Sequence, residues 1–161
     1  MNPIAIQPRL DASAVAPELF KKYLHFATAS TMEETLAALV DIRASQLNGC
    51  AFCLDMHVKQ ARISGERELR LHHVAIWRES PLFSPQERAC LGWTEALTRI
   101  GSEGVTDQDY LEAREHFSEQ ELVALTFRVM AINGWNRLNI AFRTMPGSMD
   151  RAYGLDKADL K

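Results

Sequence analysis

The sequence predicts an all-α protein of about seven helices joined by short loops. Apolar residues recur at helical spacing along most of the chain, capping motifs precede several of these stretches, and no stretch alternates convincingly like a β-strand. The length of 161 residues and the apolar fraction of 47% suit a single domain over 1–161. Its core is expected in about 17–146, flanked by an N-terminal arm and a C-terminal tail.

Local signals place the helices along the chain. The predicted ranges are about 17–27, 32–47, 50–63, 66–78, 85–100, 107–117 and 119–145. Ser84-Pro85-Gln86-Glu87 and Ser118-Glu119-Gln120-Glu121 are capping boxes, and Thr31 with Glu34 is read as a third. Residues 1–15 are expected to be irregular. The tail from Ser148 is expected either to wrap a neighbour or to be mobile.

Side-chain patterns within the helices predict the core. The helix over 66–78 is expected to bury Leu69, Leu71, Val74, Ala75 and Ile76. Gly134, inside the longest helix, costs about 1 kcal/mol relative to alanine and indicates the close approach of another backbone. Polar residues in the same apolar helix, Asn136 among them, indicate a buried hydrogen-bond network or a subunit contact.

Charge and composition argue against several kinds of partner. The net charge is −3 and the basic residues are scattered, so no nucleic acid is expected. No apolar run approaches the roughly 20 residues that span a bilayer, and the N-terminus lacks the pattern of a secretory signal. Three cysteines, an odd number, fit poorly with a secreted disulfide framework. We therefore expect a cytoplasmic protein that does not act at a membrane.

Two of the cysteines form a C-x-x-C with a histidine four residues later: Cys50, Cys53 and His57. Residues three and four apart share a helical face, so the three side chains are expected to point the same way. The free N–H groups and positive dipole of a helix start favour a thiolate, and the sulfur is expected to be ionised and reachable. His57 is placed to take or return a proton.

Other interpretations of the cysteines remain open at this stage. A C-x-x-C can bind zinc, with His57 as a third ligand, but there is no second C-x-x-C or H-x-x-x-H. The other soft candidates are Cys90, His72, His73 and His116. Inert core cysteines are a further alternative, and Cys90 is interpreted in that way. The prediction is no metal and no cofactor.

The string Ile42-Arg43-Ala44-Ser45-Gln46-Leu47-Asn48-Gly49-Cys50-Ala51-Phe52-Cys53, followed by His57, closely resembles the signature of AhpD-like alkylhydroperoxidases, which belong to the carboxymuconolactone decarboxylase superfamily. Trp77 to Ser84 and Ala131 to Arg137 look like later blocks of that family, and the match covers most of 35–142. The resemblance implies an AhpD-like helical bundle with the C-x-x-C at the N-terminus of a central helix. It also implies a homo-oligomer, often a trimer of dimers.

The function that the resemblance implies is a thiol-dependent peroxidase of antioxidant defence. Carried over by position, Cys53 attacks the peroxide, Cys50 resolves the sulfenic acid as a disulfide, and His57 takes part in the proton relay. The implied partners are a peroxide substrate and an external dithiol reductant of lipoyl or thioredoxin-like type. The alternatives are a redox-sensing or scaffold protein with little turnover and a non-redox lactone decarboxylase relative.

The sequence departs from the family pattern at two positions. The family commonly has a glutamate twelve residues before the first cysteine, where this chain has Ala38. Better-studied AhpD enzymes have a histidine just before the second cysteine, where this chain has Phe52. The implied relay is therefore shortened. Asp41 or Glu34, one turn either side of Ala38, is the expected substitute for the missing carboxylate.

Overall fold

The computed structural model describes residues 7–29 and 31–160, and these residues contain α-helices, two 3-10 segments and no β-strand. The α-helices are α1 (Ala12–Val15), α2 (Pro17–Thr28), α3 (Glu34–Asn48), α4 (Ala51–Ile63), α5 (Glu68–His73), α6 (Pro85–Thr98), α7 (Asp107–Arg114), α8 (Glu119–Phe142) and α9 (Asp150–Tyr153). The 3-10 segments are Val74–Glu79 and Leu155–Ala158. The predicted all-α class is confirmed. Within the described ranges, no helix combines the length and apolar character that crossing a bilayer requires.

Capping boxes fix the starts of α6 and α8 where the sequence predicts them, at Ser84 and Ser118. The predicted cap at Thr31 is wrong. Glu33 caps α3 instead, because its carboxylate accepts hydrogen bonds of 3.0 Å from the backbone N–H groups of both Thr35 and Leu36. An acidic side chain at this point also interacts favourably with the positive end of the helix dipole.

The centre of the bundle is α3, which packs against α4, α6 and α8. Its buried apolar residues leave little of the helix facing water: Leu36, Leu39, Val40, Ile42 and Ala44. Asp41 is buried on the same helix, as a charged residue within this apolar surrounding. A buried carboxylate requires partners, and the partners of Asp41 define the candidate site described below.

The region after α5 differs from the prediction of one helix over 66–78. The α-helix ends at His73 and the chain continues as 3-10 turns, with Ile76 outside the helical conformation. This break turns Ala75 and Ile76 to the surface, and Leu69 is exposed as well, whereas Leu71 and Val74 are buried as expected. A single helical period does not hold across a change of helix type.

The two ends of the chain are more regular than predicted. Residues 1–6 lie outside the described ranges, but Ala12–Val15 form a short helix capped by Asp11. At the other end, residues 147–158, here called the C-terminal segment, fold back onto α4 of the same chain. Leu155 and Ala158 of this segment are buried.

One lysine joins the C-terminal segment to α4. Lys59 is 7% exposed, and its Nζ donates hydrogen bonds of 2.8 Å to both Asp55 and Asp150. The backbone N–H of Gly147 donates to Asp55 as well, at 3.0 Å. The segment is thus held by a buried cation between two carboxylates, which differs from both outcomes expected for the tail.

The space left by the missing side chain of Gly134 is occupied by another side chain, not by another backbone as predicted. A Cβ at this position would lie 1.8 Å from Tyr23 Oη and 2.6 Å from its Cζ. The Tyr23 hydroxyl donates a 2.7 Å hydrogen bond to the Ala131 carbonyl, and its ring packs edge-on against Trp135 at 4.7 Å between centroids. The absent Cβ therefore lets α2 dock on α8.

Replacing Gly134 with alanine is expected to lower the free energy of unfolding by about 1–3 kcal/mol in urea denaturation, because Tyr23 must leave its site. This loss should outweigh the gain in helix propensity of about 1 kcal/mol. In a Tyr23→Ala background the obstruction is gone, so the same Gly134→Ala change should become stabilising. Destabilisation in both backgrounds would contradict this account.

Candidate active site

The C-x-x-C lies at the junction of α3 and α4. Gly49 ends α3 in the left-handed conformation, with a φ of 70°, and turns the chain into the next helix. Cys50 is the N-cap of α4, and its sulfur accepts a hydrogen bond of 3.3 Å from the Cys53 N–H. A disulfide joins Cys50 to Cys53, with 5.4 Å between their Cα atoms. The predicted cysteine pair at a helix start is therefore present.

The expectation of a reachable sulfur is wrong for this oxidised form. Cys50 is 2% exposed and Cys53 is 0% exposed, and both belong to an apolar cluster shared by α3, α6 and α8. Three partly buried side chains from different parts of the chain pack on this cluster: Met56, Trp135 and Met149. The first turn of α4 alone does not indicate this cluster, because most of its members come from other helices.

Cys90 is buried in the same cluster and takes no part in a disulfide, as predicted for a core cysteine. Burial raises the pKa of its thiol far above the ordinary value. Cys90 therefore stays protonated and unreactive at neutral pH.

His57 lies one turn after Cys53 and faces a buried ion pair. Its Nδ1 is 3.3 Å from Asp41 Oδ2. Arg128 of α8 binds the same carboxylate with two groups, Nε at 2.9 Å from Oδ1 and Nη2 in contact with Oδ2. Of the two carboxylates expected near Ala38, Asp41 is thus the one beside the histidine, whereas Glu34 accepts a hydrogen bond of 2.6 Å from Ser64.

A cavity of about 860 Å³ opens beside His57. Asp41 and Arg128 line it together with the histidine, and Ala38 contributes a small side chain. The C-terminal segment, from Tyr153 to Lys157, forms one wall. Neither cysteine lines this cavity, so His57 is the member of the predicted trio that faces it.

The surroundings of His57 favour the neutral imidazole. Burial lowers its pKa below the ordinary 6.5, and the Arg128 guanidinium lowers it further. Asp41 raises this pKa, and so does a hydrogen bond with Gln60, but the pKa of His57 remains below the ordinary value. Because Arg128 already neutralises Asp41, the carboxylate offers limited support to an imidazolium.

We expect the oxidised protein to lose stability as the pH falls below about 6.5, the ordinary histidine value. In this range the unfolded chain binds a proton at His57 that the folded chain does not, so stability rises with pH. The slope is at most about 1.4 kcal/mol per pH unit. Urea unfolding between pH 6.5 and the onset of carboxylate titration measures it, and His57→Gln should flatten the curve there. Identical slopes in both proteins would contradict the assignment.

Asparagines of α8 form the predicted buried network. Asn48, at the end of α3, donates to Asn133 at 3.0 Å and to Asn136 at 2.8 Å. Asn136 is fully buried and donates in turn to Ser45 at 3.0 Å. These bonds fix α8 against the end of α3, immediately before the cysteines.

Two polar residues at this site were not anticipated from the sequence. Arg128 binds Asp41, and Asn139 donates a hydrogen bond of 3.7 Å to Cys53 Sγ. Both contacts span more than eighty residues of sequence. The one local signal is that each polar residue interrupts the long apolar pattern of α8.

The other residues considered from the sequence have structural contacts. Trp77 is buried, and its Nε1 donates to Glu95 at 2.8 Å. His72 is exposed, and His73 pairs with Ser80 at 2.9 Å. Within residues 7–29 and 31–160, no three His, Cys, Asp or Glu side chains are arranged to hold a metal ion.

A helical bundle with a cysteine pair at the start of an inner helix is the architecture of AhpD-like proteins. The model of the carboxymuconolactone decarboxylase family matches residues 16–96. The uncharacterized protein YdfG of Bacillus subtilis (strain 168) is 40% identical over 136 residues, which are 83% of this chain and 92% of YdfG. The chain belongs to the carboxymuconolactone decarboxylase family, and within it the fold and cysteine pair are AhpD-like.

Solved structures agree with this assignment. A protein of unknown function from Agrobacterium tumefaciens, provisionally described as the antioxidant defence protein AhpD, is 40% identical with a TM-score of 0.84, over 87% of this chain and 98% of that one. The debrominase Bmp8 has a TM-score of 0.72 over 91% of this chain and 80% of its own. Its identity is 19%, so this second likeness concerns the fold alone.

Proposed function

We propose that this protein is a thiol-dependent peroxidase of antioxidant defence that cycles Cys50 and Cys53 between dithiol and disulfide. The observation that carries the proposal is the cysteine pair joined across the first turn of α4, with His57 one turn later. The helix start favours the thiolate form of a cysteine. A histidine kept largely neutral is ready to accept or pass on a proton.

The first step oxidises Cys53 and reduces the peroxide. The Cys53 thiolate attacks one oxygen of the O–O bond, which breaks, and the leaving alkoxide takes a proton to become an alcohol. His57, with Asp41 at its Nδ1, is the group that moves this proton. Cys53 is left as a sulfenic acid.

The second step forms the disulfide seen in the structure. The Cys50 thiol attacks the Cys53 sulfenic sulfur, an S–S bond forms, and water leaves with the sulfenic oxygen. An external dithiol then supplies two electrons and two protons to restore both thiols. Its oxidation to a disulfide balances the cycle.

Access to the sulfurs requires motion of their cover. Met56, Trp135 and Met149 pack on the cluster that contains both cysteines. Met149 belongs to the C-terminal segment, which is attached to α4 through Lys59. Displacement of these partly buried side chains opens the route for peroxide and for reductant.

The test of the proposal is a thiol count. Fully reduced protein, freed of reductant, is treated with one equivalent of an organic hydroperoxide. Two thiols per chain should disappear and the third, Cys90, should remain, because it is buried and protonated. Unchanged thiols would contradict the proposal. Repeated turnover with lipoyl and thioredoxin-like donors then identifies the reductant.

A non-redox lactone decarboxylase activity is the second candidate. The cavity beside His57 favours it, since Asp41 and Arg128 line that cavity and neither sulfur does. Activity on a lactone substrate that survives in a Cys50→Ser/Cys53→Ser variant would support this candidate. The same variant has no activity if the thiol cycle is the function.

A redox sensor with little turnover is the third candidate, favoured by the burial of both cysteines. Such a protein forms its disulfide reversibly but shows no catalytic consumption of peroxide with a dithiol donor. Peroxide consumption over many turnovers would exclude it.

We further propose a cytoplasmic homo-oligomer, with a trimer of dimers as the expected form. Val123, Phe127 and Met130 support it, because these exposed apolar residues occur at helical spacing along α8. A second copy of the chain would cover them. Sedimentation of the purified protein measures the assembly directly.

A further inference from the structure

The sulfur of Cys53 has a polar side-chain neighbour on α8. Asn139 Nδ2 lies 3.7 Å from Cys53 Sγ. The same nitrogen donates a 2.9 Å hydrogen bond to the Trp135 carbonyl, one turn earlier. Asn139 is partly buried, which reduces the competition of water for its amide.

The contact fixes which end of the amide faces the sulfur. A carbonyl oxygen and a disulfide sulfur are both acceptors, so the NH₂ group, which carries two hydrogens, satisfies both at once. The reverse orientation would place the amide oxygen against two acceptors. Asn139 is therefore oriented as a donor toward Cys53.

The scaffold holds this donor in place. The Asn48 bonds to Asn133 and Asn136 join α8 to the end of α3, one turn of α8 before Asn139. Cys53 sits on α4, which follows α3 directly through Gly49. The donor and the sulfur are thus positioned by the same helix junction, which limits how far either can move on reduction.

We infer that Asn139 is a catalytic residue whose amide N–H stabilises the ionised sulfur of Cys53. A disulfide sulfur is a weak acceptor, whereas a thiolate accepts a charge-assisted hydrogen bond. The bond is therefore stronger in the reduced protein and raises the fraction of Cys53 present as the nucleophile. This role rests on the proposed function, in which Cys53 is the attacking sulfur.

The experiment titrates Cys53 by the ultraviolet absorbance of its thiolate, with no peroxide present. A Cys50→Ser background isolates Cys53, because serine is a favourable N-cap and Cys90 remains a thiol. Asn139→Leu, similar in size but without a donor, should raise the titration midpoint by about one pH unit, a tenfold loss of thiolate. Asn139→Asp should raise it further, because a carboxylate repels the thiolate.

A matched control separates this effect from packing. Thr126 of α8 also donates to the carbonyl one turn earlier, that of Leu122 at 2.8 Å, but its second contact is Trp93 rather than sulfur. Thr126→Val should therefore leave the Cys53 midpoint unchanged. Circular dichroism at each pH confirms that each variant is folded.

The outcomes distinguish this inference from the peroxidase proposal. An unchanged midpoint in both Asn139 variants overturns the inference, whatever the thiol count gives. An equal rise in Thr126→Val overturns it as well, since packing would then explain the shift. A raised midpoint confined to the Asn139 variants supports the inference even if the protein reduces no peroxide. The absence of peroxide reduction would contradict only the proposed function.

Discussion

Replacing Cys53 with serine is expected to abolish peroxide-dependent thiol loss. A serine hydroxyl does not ionise at neutral pH, so no nucleophile remains at the start of α4. Cys50→Ser should behave differently, because Cys53 can still attack. That variant should lose one thiol to a sulfenic acid, form no intramolecular disulfide and turn over no further. Thiol counting with and without peroxide measures both variants.

Cys90→Ala is the matched control for these two variants. It removes the remaining cysteine, which is buried and takes no part in the disulfide. Peroxide-dependent loss of both other thiols should continue in this variant. If thiol loss persists in Cys53→Ser but vanishes in Cys50→Ser, the two cysteines have exchanged roles.

Arg128→Met is expected to cost about 3 kcal/mol of unfolding free energy, near the lower end for breaking a buried ion pair. Asp41 would lose its guanidinium partner while its side chain is only 3% exposed, and His57 would be its remaining partner. The cost falls at the lower end because Arg128 itself is 24% exposed. Urea unfolding of the oxidised protein at neutral pH provides the measurement.

A second substitution tests whether the uncompensated charge is the cause. Asp41→Asn in the Arg128→Met background removes the buried charge and should recover most of the lost stability. Further loss in the double variant would mean that packing, rather than charge, explains the effect of Arg128→Met.

Sequence reasoning predicted the features that depend on neighbouring residues. The starts of α6 and α8 follow from a serine and a glutamate three positions apart, which satisfy the free N–H groups of the helix by themselves. The cysteine pair at the start of α4 follows in the same way from the helix break at Asn48-Gly49. Such features need no information from the rest of the chain.

The features that were missed depend on distant contacts. Asp41 was one of two candidates until Arg128, eighty-seven residues later, was seen to hold it beside His57. The cysteines are buried in a cluster to which α3, α6 and α8 contribute, which the pattern around residue 50 does not reveal. The exposed Ile76 follows from the change to 3-10 geometry, which apolar spacing alone does not show.

The lysine between α4 and the C-terminal segment also provides a chemical reporter. Burial lowers the pKa of Lys59, but the hydrogen bonds to Asp150 and Asp55 outweigh it and keep the ammonium protonated. A protonated, enclosed amine is a poor nucleophile, so acylating reagents that label Lys21 and Lys22 on the surface of α2 will spare it. Mass spectrometry of labelled peptides can therefore report detachment of the C-terminal segment as labelling of Lys59, without any probe being introduced into the protein.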